Sequence, residues 1–212
     1  MPKSPTRRRR TYHHGSLRDA LIAATLAVVT ERGLPGVSLR EASRRAGVSA
    51  SAPYRHFRSR TDLLAAVAEA GFEGLADTMA REMASAGRDL QARFRALGVG
   101  YVRFAVAHPA EFRVMYAPEL ADRAEFPDLA EAYERAFALL WRTIAASQEV
   151  GVLPPGDPRF FAVAPWSLVH GFATLALDGQ LGPMPDPVAV AAALLAVPGP
   201  AAAAPGGPSF EG

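Results

Sequence analysis

Across 212 residues the chain carries 23 Lys and Arg against 21 Asp and Glu, a formal net charge of +2, and it contains no cysteine. A chain of this length can bury a full hydrophobic core without metal or disulfide staples. The missing thiols exclude a disulfide framework, a thiolate metal site and a cysteine nucleophile, which fits a reducing, cytoplasmic setting. No apolar stretch follows the run Arg7 to Arg10 and no long uninterrupted apolar run occurs, so neither a signal peptide nor a membrane span is expected.

The near-neutral total hides a division. Residues 1–60 hold 13 basic residues against Asp19, Glu31 and Glu41, net +10, whereas the remainder holds 10 against 18, net −8. A basic block on a segment with folded character is the footprint of a polyanion binder, and the acidic remainder would be repelled by DNA.

In chain order, residues 1–11 are Pro, Ser, Thr and Arg without an apolar period and read as a flexible basic arm. From Gly15 to Arg32, Leu17, Leu21, Ala24 and Val28 fall on one helical face, and Gly33 stops that helix. Ser38 with Glu41 forms a capping box for a short helix carrying Leu39, Ala42 and Ala46 inward until Gly47. Val48 plugs the turn, and Ser49 caps a third short helix reaching Phe57, with Pro53 expected to make it slightly irregular. A long helix over 61–83 follows, with Leu63, Leu64, Val67, Ala70 and Phe72 on its apolar stripe. Further helices are predicted over 88–107, 109–116, 122–149, 158–178 and 188–197, divided by Pro, Gly and Asp; residues 198–212 read as a disordered Pro/Gly/Ala tail. The class is all-α.

Leu39 to Phe57 has the layout of a helix-turn-helix, whose second helix can enter the major groove. Ser49, Ser51, Tyr54, Arg55 and His56 on that helix, with Arg40, Arg44 and Arg45 on the first, all suit phosphates or base edges. Alternatives stand beside several of these. Tyr54 either contacts phosphate or only packs; Arg44 and Arg45 either reach DNA or form a solvated face; the arm either enters a minor groove or stays free. His13 and His14 lack a second ligand cluster, so no metal is expected, and no cofactor is implied.

At this point the stretch SLREASRRAGVSASAPYRHFRSRTDLLAAVAEAGF, from Ser38 to Phe72, resembles the DNA-binding region of the tetracycline-repressor (TetR) family of bacterial regulators, a resemblance spanning roughly residues 12–75. A small residue and Tyr, then His56-Phe57, then a basic residue and Leu63-Leu64 occur in the family's order. Tyr12 to Arg18, with Trp166 and the pair His170-Gly171, is similar to a subgroup named for a Trp-His-Gly motif.

The resemblance implies a three-helix DNA-binding domain over 12–60 and an effector-binding and dimerisation domain over 61–197, with helix 61–83 bridging them. It implies that Ser38 and Arg40 approach the DNA backbone, that Ala50, Ser51 and Ala52 face base edges, that Tyr54 and His56 contact phosphates, and that Arg60 anchors the next helix. Ser43 stands where the family usually has Ala. Ala50 and Ala52 can offer only methyl contact, so direct readout is expected to be thin, and Arg55 is the natural extra contact.

For the C-terminal part it implies a homodimer interface near 158–178 and 186–196 and a ligand cavity. Phe94, Tyr101, Phe104, Met115, Tyr133, Phe137, Trp141, Trp166 and His170 are candidates for its wall, although each is also an ordinary core position. His170 either orients a ligand or satisfies a backbone carbonyl. The function so implied is a dimeric regulator of double-stranded operator DNA carrying an inverted repeat, released by an unidentified small-molecule effector. An enzyme is disfavoured, since no nucleophile elbow, zinc-protease motif or phosphate-cradling loop occurs. A non-specific architectural DNA binder is the remaining alternative, because the basic block alone would serve it.

Overall fold

In the computed structural model, residues 14–196 are described; the basic arm, Tyr12, His13, Val197 and the tail lie outside them. The chain is all-α, with no strand among the described residues. The helices are α1 (His14–Arg32), α2 (Leu39–Ala46), α3 (Arg60–Ser85), α4 (Leu90–Ala107), α5 (Pro109–Met115), α6 (Pro127–Glu149), α7 (Pro158–Leu177) and α8 (Pro187–Ala196). Two compact units divide the chain: Met1–Gly74 with His108–Arg135, and Leu75–Ala107 with Ala136–Gly212. Both α3 and α6 contribute residues to each unit.

In the first unit the spacing along α1 does what its period predicts. Leu21, Ala24 and Val28 are buried, and Leu21 joins Leu39, Ala42, Phe57, Leu63 and Ala66 in one core cluster edged by Leu17, Ile22, Ala46 and Val48. Each large side chain fully removed from water there contributes about 1.5–3 kcal/mol. On α3 every residue from Leu63 to Ala68 is buried, because the helix is enclosed on more than one side; Ala70, expected on the apolar stripe, is exposed. Further along, Phe72 packs edge-on to Tyr116 and Tyr133, and the Arg123 guanidinium sits 4.3 Å from the Tyr133 ring centre.

In the second unit α4 packs against α7 and α8, burying Leu97, Tyr101, Val102, Phe104 and Ala105. Two buried hydroxyls on α6 are satisfied within their own helix: Thr143 donates to the Leu139 carbonyl at 2.8 Å and Ser147 to that of Thr143 at 2.9 Å. Asp157 caps α7, accepting from the Arg159 amide at 2.8 Å, and Pro165 lies inside that helix, removing one backbone donor. Only Ala162, Val169 and Ala173 of α7 are buried, so its other face is left open.

Candidate functional site

The reading element begins at the start of α2. Ser38 is extended and accepts the Glu41 amide through its hydroxyl at 3.1 Å, capping the helix from one side. The Glu41 carboxylate takes Arg44 and Arg45 rather than completing the box. Gly47 ends α2 at φ 67°, a left-handed conformation that L side chains adopt only against steric resistance, and the Val48 amide then bonds back to the Ser43 carbonyl at 3.1 Å.

The third helix of the motif is shorter and tighter than the sequence pattern predicts. Residues 50–52 form a turn and only Pro53–Arg55 is helical, with 3-10 geometry. The Ala52 amide bonds to Ser49, that of Arg55 to Ala52 and that of His56 to Pro53, each three residues back. The cause is Pro53. It has no N–H to bond to Ser49, and its ring disfavours the α conformation that Ala52 nonetheless adopts. Buried Pro53 and Phe57 pin this segment to the core, which turns its other residues outward.

Accordingly Ser38, Arg40, Arg44, Ser49, Ala50, Ser51, Tyr54 and Arg55 are exposed, Tyr54 at 63%. Ala52, His56 and Arg60 are half-buried. Ser49 and Ser51 share a hydroxyl hydrogen bond at 3.2 Å. Arg60 is turned inward: it donates to the Val37 carbonyl at 3.1 Å, the Leu34 carbonyl at 2.9 Å and the Glu119 carboxylate at 2.8 Å.

The cations of this surface are unequal. Arg44 is bidentate on Glu41 at 2.8 and 2.6 Å, and Arg45 bridges Glu41 and Glu31. The Arg44 hydrogen bonds, with those of Arg45, lower the Glu41 carboxyl from the usual range to about 2; Arg45 likewise lowers Glu31. Arg40 and Arg55, by contrast, meet no acidic partner among the described residues. The ionic role of Glu31 was not legible in the sequence, because it depends on a pairing 14 residues apart that only the packing of α2 on α1 creates, whereas Glu41 stands three and four residues before its partners Arg44 and Arg45, a spacing that the sequence carries.

The second unit contains a small, partly open apolar cavity of about 40 Å3 among α3, α4, α6, α7 and α8. Phe94, Tyr101, Phe137 and Trp166, four of the nine expected wall residues, line it. His170 stands directly behind: its Nδ1 is 2.8 Å from the Tyr101 hydroxyl and its ring 5.4 Å from that of Trp166. Burial pushes the His170 imidazole down from its ordinary value, favouring the neutral ring.

The other four expectations are not met. Met115 and Tyr133 belong to the core of the first unit. Phe104 is buried elsewhere on α4, and Trp141 is covered by the Arg159 guanidinium at 4.0 Å. Met79, Gly98, Pro165 and Leu195 line the cavity unforeseen. A Cβ at Gly98 would come within 2.6 Å of Leu195 Cδ1, so the end of that leucine side chain would have to shift to admit one.

Two family models match the chain: one for bacterial regulatory proteins of the tetR family over residues 21–67, the other for a tetracyclin repressor-like C-terminal domain over residues 94–197. The chain belongs to the TetR family.

As a TetR-family protein it is a DNA-binding transcriptional regulator of the ligand-responsive repressor type. No curated protein matches it. Among solved structures, a protein of unknown function from Rhodococcus sp. RHA1 is 37% identical with a TM-score of 0.71, the match covering 88% of this chain and 97% of that one. The TetR family transcriptional regulator PfmR from Thermus thermophilus is 19% identical, with a TM-score of 0.65 over 82% and 94% of the two chains. The regulator FadR from Bacillus subtilis, solved in complex with stearoyl-CoA, is 14% identical, with a TM-score of 0.68 over 84% and 95%. The latter two share the TetR fold.

Proposed function

We propose that this TetR-family regulator acts by binding alone, without a catalytic step, as a cytoplasmic homodimer that grips an inverted repeat and lets go when a small molecule enters the cavity of the second unit. The observation that carries the DNA half is the outward run Ser49–Ala52 and Tyr54–Arg55, held by buried Pro53 and Phe57. Ser49 and Ser51 offer hydroxyls and Ala50 and Ala52 methyl groups to base edges, while Ser38, Arg40, Tyr54 and Arg55 are placed for phosphates. Arg44 keeps its charge but shares it with Glu41, and Arg60 acts by positioning the start of α3. His56, half-buried behind the run, supports it from within.

A dimer is supported by the open face of α7, where Phe160 (68% exposed), Val163, Leu168 and Leu175 stand in water with Leu194 of α8. Near its middle, a Cβ at Gly171 would touch nothing, so the glycine leaves room for a close helix approach. The 20-residue α7 is also long and apolar enough to cross a membrane; packed against α4 on one side, we read its other side as the subunit interface. Two reading heads are then available, which one short element needs for specific affinity.

Effector control is supported by the cavity. At about 40 Å3 it is far below the roughly 300–1,000 Å3 of occupied ligand pockets. A ligand that fits only an enlarged cavity shifts the population toward the conformation that has one. Selection of genomic fragments by the purified protein at about 150 mM salt, where phosphate-only binding is mostly lost, tests the reading. Enrichment of one inverted repeat is expected; uniform, salt-labile binding would establish a non-specific architectural protein instead.

A further inference from the structure

We propose that the effector is an uncharged, elongated, largely apolar molecule that enters past Phe94 and places one hydrogen-bonding group at Tyr101. This rests on the effector-controlled reading above and adds the chemical class and route of the ligand.

The class follows from the wall. Among the described residues lining the cavity none is charged, and the Tyr101 hydroxyl and the Trp166 indole N–H are the only polar side-chain groups. The group behind Tyr101 is His170, whose burial favours the neutral ring, so no cation stands ready to receive a carboxylate or phosphate. An ionised group brought in would lose its water without a counter-charge, whereas a carbonyl, a hydroxyl or the N–H of an amide or neutral aromatic amine exchanges one hydrogen bond for another.

The route follows from a second opening in the same unit. A groove of about 570 Å3 lies where the start of α4 meets the end of α6 and the loop after it, lined by Leu90, Phe94, Ser147, Val152 and Leu153 with Asp89 and Gln91 at its edge. Phe94 lines both spaces, so its ring stands where the outer apolar groove and the small inner cavity come together. Rotation of this one half-buried side chain joins them into a channel suited to a long ligand. The only charged residue among the described residues lining the groove is Asp89, already accepting the Gln91 amide at 2.9 Å, and it repels anions at the entrance.

The test uses N-phenylnaphthylamine and anilinonaphthalene sulfonate, fluorescent probes with the same ring framework that differ by a sulfonate, titrated into the full-length protein. The neutral probe should bind saturably and more tightly than the sulfonate by on the order of a hundredfold, the scale of an unpaired buried charge. Phe94→Ala should speed its association and Phe94→Trp slow it, with circular dichroism and melting confirming that both variants fold. Equal affinity for the sulfonate, equal competition by tetraphenylphosphonium, no binding of the neutral probe, or association rates indifferent to residue 94 would each overturn the proposal. Repeating the titration with operator DNA bound separates the two readings. Reciprocity requires a ligand that expels DNA to bind the DNA complex more weakly. A neutral probe bound equally well with and without operator would overturn effector control itself, while weakening seen only for the sulfonate would retain effector control and overturn the uncharged class.

Discussion

Arg60 opens α3 with its guanidinium divided among the Val37 and Leu34 carbonyls and the Glu119 carboxylate, and truncating it to alanine separates a positioning role from direct DNA contact. Hydrogen bonds from a charged donor contribute about 1.5–3 kcal/mol each, and the carbonyls freed in the half-open site regain water, so the lower value applies to both. The ion pair with Glu119 is about a third exposed on each side and adds at most about 1 kcal/mol. Arg60→Ala should therefore cost about 3–4 kcal/mol, read as a lowered urea midpoint at unchanged slope. Arg60→Lys, which keeps the charge but not the fork, should fall between. Operator affinity of the folded variant should drop only modestly and with unchanged sequence preference. If the midpoint does not move while operator binding is lost, Arg60 is a DNA ligand and the reasoning from its internal bonds is wrong.

Glu41, held down to about 2 by Arg44 and Arg45, stabilises the fold above its ordinary value near 4.5 and ceases to do so as the pH falls toward about 2. Glu41→Gln should thus be less stable than the parent at neutral pH, with melting points that converge over that acid range; parallel curves would show that the pairing is absent in solution. Gly47→Ala meets no neighbour and should cost only the backbone strain of its left-handed conformation, about 1–2 kcal/mol by urea denaturation. A cost near zero would mean that the turn refolds around alanine. Leu175→Arg, on the open face of α7, should sediment as a monomer and lose specific operator binding while staying helical; a persisting dimer would place the interface elsewhere.

Helices were legible in the sequence wherever a period and a stop signal coincided, as with Leu21, Ala24 and Val28 ended by Gly33, or Ser38 and Gly47 around α2. The third helix of the motif was over-read in extent: Pro53 was expected to make it slightly irregular, but by removing a backbone donor and restricting the residue before it, Pro53 leaves only a 3-10 turn. The exposed polar residues Ser49, Ser51, Tyr54 and Arg55 could be named from their types alone, whereas Ala50 and Ala52 entered only through the resemblance to the family. The cavity was half legible. Aromatic stripes mark what is buried but not with whom, so Met115 and Tyr133 went to a different core, while Gly98, Pro165 and Leu195 joined the wall through spacing that no periodicity encodes.

The acidic pair Glu31 and Glu41 has a consequence for how this protein responds to salt. Binding to DNA releases counterions in proportion to the phosphates neutralised, giving a slope of roughly −0.9 in log affinity against log salt for each one. A guanidinium already neutralised by its own carboxylates contributes little to that release. Arg44 and Arg45 are in that state, and Arg40 and Arg55 are not. The salt dependence of DNA binding should therefore be shallower than the number of cations on this surface suggests, with Arg40 and Arg55 contributing to the slope and Arg44 and Arg45 adding little to it.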